Sequence, residues 1–251
     1  MREFSAPVAR VVGKEENLTN MVWVNAEQFP ATVSFRRQIN SSWLNVTTKE
    51  FAEQVLGVTK GLIVAGLRPG ERVGLMSKTR YEWTLLNYAI WAAGCVTVPI
   101  YQTSATDQVE WTLADSSAKA VFVETSAQHS IVSAMRERFP KLYHVWQIEG
   151  PPDDESGAVT VLTKLGDQIS DEEVHVRRQA IIADDTAALI YTSGTTGQAK
   201  GCVITHRNFL AEAYADNAAF PDLVRQGNST LMFLPMAHVL AYAIMVAWCP
   251  P

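Results

Sequence analysis

Short runs of β-branched and apolar residues alternate along this chain with segments of helical periodicity, and that alternation restricts the fold more than any other feature. Val73-Gly74-Leu75-Met76, Val96-Thr97-Val98, Ala120 to Val123 and Val145 to Ile148 read as strands. A helix from about Arg80 to Ala93, one capped within Ser104 to Asp107 and running to about Asp115, and one from Ser126 to Phe139 fill the intervals. Upstream, Thr47-Thr48-Lys49-Glu50 has the spacing of a capping box, and Phe51, Val55, Val58, Leu62 and Ala65 recur on one helical face until Gly66. Strands separated by helices of this length pair in parallel, because a parallel neighbour requires a crossover connection. The expected class is α/β, with layered, mostly parallel sheets flanked by helices.

Hydrophobic residues make up 47% of the 251 residues and charged ones 19%, which excludes disorder and implies a sizeable core. Lys and Arg number 21 against 26 Asp and Glu, a formal charge of -5, so no basic field exists to hold a nucleic acid. Cys95, Cys202 and Cys249 are far apart and odd in number, as suits free thiols in a reducing compartment. The opening residues, MREFSAPVARVVGKEEN, lack the apolar core of a signal peptide. The expected location is cytoplasmic, at most peripheral to a membrane.

From Leu231 to Cys249, nineteen residues carry no Asp, Glu, Lys or Arg. That approaches the ~20 residues of a membrane helix, but Pro235 and His238 interrupt the run. Ser229 to Leu234 reads instead as a strand stopped by proline, with a helix after it. The apolar stretch from Leu85 to Tyr101 divides at Gly94 into a buried helix and a buried strand ended by Pro99. No integral membrane span is expected. Between Gly150 and Asp185, nine acidic residues stand against Lys164, Arg177 and Arg178, which reads as a surface connector with a solvated helix.

The chemically informative segment starts at Ala187. Ala187 to Tyr191 is a strand candidate that empties into Thr192-Ser193-Gly194-Thr195-Thr196-Gly197-Gln198-Ala199-Lys200-Gly201; a short strand, Cys202 to Ile204, and a helix capped by Thr205 follow. Glycines let main-chain N–H groups crowd an anion, hydroxyls add neutral donors, and lysine adds a mobile positive charge. A polyphosphate requires this set. The plainer alternative, a flexible Ser/Gly linker, is disfavoured by the position between two hydrophobic strands and by the single placed lysine. The loop is not a Walker A element, because Ala199 stands where glycine must precede the lysine. A different ATPase would need an acidic magnesium ligand closing a strand, and no such pairing is evident.

Tyr191 to Gly201 resembles the phosphate-loop signature of the AMP-forming adenylating enzymes, the superfamily of acyl-CoA synthetases, firefly luciferase and peptide-synthetase adenylation domains. One departure is Ala199, where the family usually has proline. Leu234-Pro235-Met236-Ala237-His238 resembles a second motif of that superfamily, whose histidine lies at the mouth of the acyl tunnel. The alanine before His238, Arg80-Tyr81-Glu82-Trp83, Val98 to Ser104 and Leu113-Ala114-Asp115-Ser116 are similar to the long-chain fatty-acid ligases. The resemblance runs from about Val22 to about Ala243.

It implies ATP, Mg2+ and coenzyme A as cofactors and small molecules as the partners. A fatty carboxylate would attack the α-phosphorus of ATP to give acyl-adenylate and pyrophosphate, and coenzyme A would then displace AMP. By the same resemblance Thr192, Ser193, Gly194, Thr195, Thr196, Gly197 and Lys200 would cradle the β- and γ-phosphates, with Lys200 the catalytic cation and Thr192 a magnesium ligand. His238 would orient the carboxylate. Taken alone, His238 reads as a core histidine satisfied by a backbone carbonyl; its Leu-Pro-Met-Ala context carries the other reading. His129, His144, His175 and His206 show no spacing for metal or triad work and read as surface or structural residues.

Members of the superfamily are more than twice as long, and their adenine motif, ribose-binding aspartate, hinge, mobile C-terminal domain and coenzyme A site have no counterpart within residues 1–251. The expectation is therefore a truncated N-terminal AMP-binding (adenylating) domain of a long-chain fatty-acid–CoA ligase over 1–251. The alternative is a non-catalytic remnant or a weak ATP-phosphate-binding module.

Overall fold

The computed structural model describes residues 9–39, 41–150, 157–192, 197–225 and 227–248. Helix α1 (Asn20–Gln28) leads into an antiparallel ribbon of β1 (Val33–Ile39) and β2 (Ser42–Thr47). Helix α2 (Thr48–Val64) then starts on the expected capping box: Thr47 Oγ1 accepts the Glu50 N–H at 3.2 Å and the Glu50 carboxylate accepts the Thr47 N–H at 2.8 Å. Its expected apolar stripe, Phe51, Val55, Val58 and Leu62, is buried. The chain leaves the helix at Gly66, whose φ of 90° is open to glycine at little cost.

The expected alternation follows as β3 (Arg72–Met76), α3 (Tyr81–Ala92), β4 (Val96–Ile100), α4 (Thr106–Asp115), β5 (Ala120–Val123), α5 (Ser126–Ala134) and β6 (His144–Gln147). Two boundaries differ from expectation, those of β4 and α5. Strand β4 continues through Pro99 rather than ending there; its register with the next strand on one side consists of the pair Thr97↔Ala188, so the proline lies beyond that ladder. Helix α4 is capped at Ala105, within the expected Ser104 to Asp107, and the Ala105 N–H is taken by the Gln108 side chain at 3.0 Å. Helix α5 stops at Ala134 and gives way to a 3-10 turn over Arg136–Arg138.

The acidic stretch is more than a connector. Helix α6 (Ala158–Gly166) buries Ala158 and Leu162, and it lies so close to α2 that a Cβ on Gly61 would come 2.1 Å from the Leu162 carbonyl oxygen. Only α7 (Asp171–Gln179) has the solvated character expected, with Val174 as its buried residue and charges that suit the helix dipole at both ends.

Strand β7 (Thr186–Thr192) joins β4 in parallel, and β8 (Lys200–Thr205) pairs with β7 antiparallel, from Thr186↔Thr205 to Thr192↔Lys200. The sheet order is β6-β5-β3-β4-β7-β8, an α/β sheet that is parallel except at its β8 edge. Helix α8 (His206–Ala219) opens on Thr205, whose hydroxyl oxygen accepts the Asn208 N–H, and α9 (Val239–Ala247) completes the order.

The strand expected over Ser229 to Leu234 is absent. Those residues are irregular, with Leu231 70% and Phe233 74% exposed, because no neighbouring strand offers them a ladder and apolar side chains alone do not make a strand. The helix expected after Pro235 is α9, and its apolarity serves the core: the Tyr242 ring stacks on Trp91 at 5.6 Å and meets Trp83 edge-on at 5.2 Å. Among the described residues no helix is long and apolar enough to cross a membrane. Cys95 and Cys202 are free thiols; burial pushes the Cys95 thiol up to about 12. Cys249 lies outside the described residues.

Candidate active site

In a parallel sheet the carboxyl ends of the strands emerge on one edge, and the residues that follow them form a crevice there. Ser77, Lys78 and Thr79 after β3, and Tyr101, Gln102 and Thr103 after β4, line one side of a cleft of about 350 Å³. Met232, Phe233, Pro235 and Ala237 line the other. Hydroxyls and a lysine thus oppose an apolar wall, which suits an amphipathic ligand. The two sides are tied where Thr79 Oγ1 donates to the Leu234 carbonyl at 2.6 Å.

His238 follows that wall directly. It is exposed and is the N-cap of α9, its Nδ1 accepting the Leu240 N–H at 3.3 Å. The core-histidine reading of His238 therefore fails: the residue is exposed, and among the described residues its ring bonds no carbonyl.

The second half of the candidate site is the β7–β8 hairpin. Thr192 and Lys200 form its last register pair, and both are exposed. Between them Gly197 takes φ 96°, a left-handed conformation that favours glycine. Ser193, Gly194, Thr195 and Thr196 lie outside the described residues. The hairpin is anchored on α4 at two points: the Trp111 indole N–H donates to the Ala199 carbonyl at 2.7 Å, and the Tyr191 hydroxyl donates to Asp115 at 2.6 Å. Burial, with the Asp115 carboxylate, pushes the Tyr191 phenol above its ordinary value and keeps it a donor. Gly201 lies against the Tyr191 ring, where a Cβ would come 3.1 Å from Cζ. Lys200 has no ion-pair partner among the described residues, so its charge is available to an anion.

No trio of His, Cys, Asp and Glu that could hold a metal occurs among the described residues. Thr192 offers one neutral hydroxyl, a donor set that fits magnesium held mostly by phosphate oxygens and water rather than by a protein cage. Among the described residues, neither Thr192 nor Lys200 lines the cleft.

The remaining histidines are surface or structural residues, as expected; the half-buried His129 meets the Ser133 hydroxyl at 3.4 Å on α5. His206 is 2% exposed and accepts the Leu18 N–H on Nδ1 at 3.2 Å; burial pushes it down to about 3. The His144 ring meets the Ala65 carbonyl at 2.9 Å, and His175 accepts from Arg178 at 3.1 Å.

Sequence reasoning missed Ser77, Lys78, Thr79, Trp111 and Glu124. The last is a buried carboxylate at the end of β5 that accepts the Lys78 N–H at 2.9 Å and the Lys78 ammonium at 2.8 Å. One signal was available: an acid directly after the apolar run Ala120 to Val123 and before the Thr125 cap has no reason to be buried unless it is paired.

The chain is similar to known proteins over nearly all of its length. The long-chain-fatty-acid–CoA ligases FadD15 of Mycobacterium tuberculosis and Mycobacterium bovis are each 42% identical to it over 98% of this chain. The ligase heimdall of Drosophila melanogaster is 29% identical over 80% of it. This chain spans 41% of the length of each FadD15 relative and 31% of heimdall. Among solved structures, the long-chain-fatty-acid-CoA ligase FadD1 of Archaeoglobus fulgidus superimposes with a TM-score of 0.73 at 20% identity, covering 95% of this chain and 46% of that one. The N-terminal domain of FACL13 from Mycobacterium tuberculosis gives 0.71 at 22%, covering 93% and 55%. These two show a shared fold. The model of the AMP-binding enzyme family matches residues 22–250, and on that match this chain belongs to the AMP-binding enzyme family.

Proposed function

We propose that these residues are the N-terminal, AMP-binding part of a long-chain fatty-acid–CoA ligase whose mobile C-terminal domain and coenzyme A site belong to a longer polypeptide. The observation that carries this reading is the 42% identity to FadD15 across 98% of the chain. On this reading a fatty carboxylate oxygen attacks the α-phosphorus of ATP and pyrophosphate leaves; coenzyme A thiol then displaces AMP. The β7–β8 hairpin residues Thr192, Ser193, Gly194, Thr195, Thr196, Gly197 and Lys200 hold the β- and γ-phosphates through hydroxyls, main-chain N–H groups and one ammonium. Lys200 offsets charge that grows on the leaving pyrophosphate, an effect strongest when the donor is fixed beforehand. His238, held at the head of α9, orients the carboxylate. Thr192 would lend its hydroxyl to magnesium carried with the nucleotide, and the ion would supply further neutralisation of the triphosphate. The exposed and buried free thiols fit a cytoplasmic location.

The test is palmitate-dependent exchange of pyrophosphate into ATP by the full polypeptide that carries these residues. Exchange is expected only with palmitate and magnesium together, and Lys200→Ala is expected to lower it roughly 10- to 100-fold, the loss of a charge-assisted hydrogen bond. Exchange that ignores the fatty acid, or that survives Lys200→Ala unchanged, refutes the assignment.

A further inference from the structure

The Glu124 carboxylate, only 4% exposed, is filled from all sides by the segment that follows β3. Its Oε2 accepts the Lys78 N–H at 2.9 Å and the Ser77 hydroxyl at 3.4 Å. Its Oε1 meets the Lys78 ammonium at 2.8 Å and the Arg80 guanidinium at 3.4 Å. Arg80 is held further by Glu149 and Glu82, each at 2.7 Å, while Arg37 braces Glu82 at 3.1 Å and Lys78 reaches Glu149 at 3.9 Å. Burial by itself pushes the Glu124 carboxyl up; the hydrogen bonds from Lys78 and the charges of Lys78 and Arg80 outweigh it and hold it below the ordinary carboxylate range.

Thr79 stands between these two fixed residues, and its hydroxyl makes the 2.6 Å bond to the Leu234 carbonyl. Leu234 has no strand to hold it, since 228–234 is irregular and Pro235 lacks an N–H. Among the described residues, the Thr79 bond is the hydrogen bond that ties 229–234 to the edge of the sheet. The chain then passes Pro235 and Ala237 in the cleft wall and reaches His238.

We infer that Glu124 is a positioning residue for the acyl side of the adenylation site: it fixes 77–80 and, through the Thr79–Leu234 bond, sets the cleft wall and His238. This inference rests on the proposed ligase function. The β7–β8 hairpin is anchored separately, by Trp111 and Asp115, so nucleotide binding does not run through Glu124. Replacing the carboxylate by an amide keeps the shape but sets an NH2 group against Lys78 or Arg80, and the effect falls on the fatty acid.

Steady-state kinetics and hydrogen exchange on the full polypeptide test this. Glu124→Gln should raise the KM for palmitate about tenfold while the KM for ATP stays within about twofold. Glu124→Asp, which keeps the charge, should recover most of the shift. Thr79→Val should reproduce it, and the double variant should be no worse than either single one, since both cut the same chain of contacts. Amides over 229–238 should exchange faster in Glu124→Gln, with β7 and β8 unchanged. Unaltered exchange over 229–238 together with an unaltered palmitate KM overturns the inference. So does a loss confined to kcat with faster exchange across the whole sheet, which marks a merely structural carboxylate. If the wild-type polypeptide shows no palmitate-dependent exchange of pyrophosphate, the ligase reading fails, and the hydrogen-exchange result alone decides whether Glu124 positions this segment.

Discussion

The indole N–H of Trp111 donates to the carbonyl of Ala199 at 2.7 Å, so helix α4 grips the residue directly before Lys200. Ala199 also lies just past the last β7–β8 register pair, Thr192↔Lys200. A proline at that position would keep the gripped carbonyl and remove no hydrogen bond of the ladder.

Three variants should therefore rank in a fixed order. Trp111→Phe removes one hydrogen bond that locates Lys200, worth about 1 kcal/mol or roughly fivefold in rate. Ala199→Pro changes mainly loop entropy, by less than about 1 kcal/mol. Lys200→Ala removes the charge itself and should cost the most. Rates of palmitate-dependent ATP–pyrophosphate exchange give the ranking, and a Trp111→Phe enzyme as fast as wild type would show that the grip does not matter.

Gly61 should tolerate no side chain. Its Cβ would meet the Leu162 carbonyl oxygen at 2.1 Å, and that oxygen belongs to a helix backbone that cannot swing aside. Gly61→Ala is expected to destabilise by on the order of 3 kcal/mol, as α6 is pushed off α2. Gly66→Ala meets nothing within 4 Å and suffers only from its φ of 90°, a cost of about 1 kcal/mol. Denaturant midpoints separate the two, and equal losses would contradict the close approach of the helices.

The α2–α6 contact also shows where sequence reading stopped. The strand and helix alternation was legible because it is written locally, in runs of Val, Ile and Ala and in caps such as Thr47 with Glu50. Gly57 and Gly61 look like weak points inside a helix until Thr163 and Leu162 are seen lying against them. The proposed phosphate loop is written just as locally, since its candidate donors are contiguous in the sequence, although Ser193 to Thr196 lie outside the described residues. The Glu124 cluster was not: its partners come from β1, the β3 exit, α3 and the β6 exit, and no spacing along the chain announces them. Ser229 to Leu234 failed in the opposite sense. Its pattern is that of a strand, but a strand needs a neighbour, and among the described residues no strand pairs with it.

His206 should make stability depend on pH. Its ring accepts the Leu18 N–H and packs against Trp91, so the folded chain holds it neutral down to about 3. In the unfolded chain it takes a proton near its ordinary value of ~6.5. Below that value the unfolded state binds the extra proton, so this contribution is complete above pH ~6.5 and is lost progressively as pH falls towards 3, at up to ~1.4 kcal/mol per pH unit. Thermal unfolding at pH 7 and pH 5 should therefore show a larger drop for wild type than for His206→Asn, which keeps an acceptor but cannot titrate. Parallel drops would refute the assignment.

A polypeptide limited to residues 1–251 is expected to form neither acyl-adenylate nor acyl-CoA. Thr192 and Lys200 are exposed at the open edge of the sheet, and the cleft beside Thr79 is walled by an irregular segment whose Leu231 and Phe233 lie in solvent. A triphosphate held by the hairpin alone can rotate about its own bonds, and nothing in these residues is assigned to adenine or ribose. Loss of orientation forfeits a share of the ~7–11 kcal/mol that well-placed reactants gain, and the whole of it corresponds to at least about five powers of ten in rate. Water around Lys200 weakens its charge further, since a screened ammonium stabilises developing charge far less than a buried one. The same exposed groups, with Val203 56% exposed on edge strand β8, should make this polypeptide bind a hydrophobic dye, and Leu231→Ser with Phe233→Ser should reduce that binding. Mass spectrometry of the polypeptide incubated with ATP, magnesium, coenzyme A and palmitate, against a heat-denatured sample, decides the point: either product above that background would mean that residues 1–251 already hold a complete site.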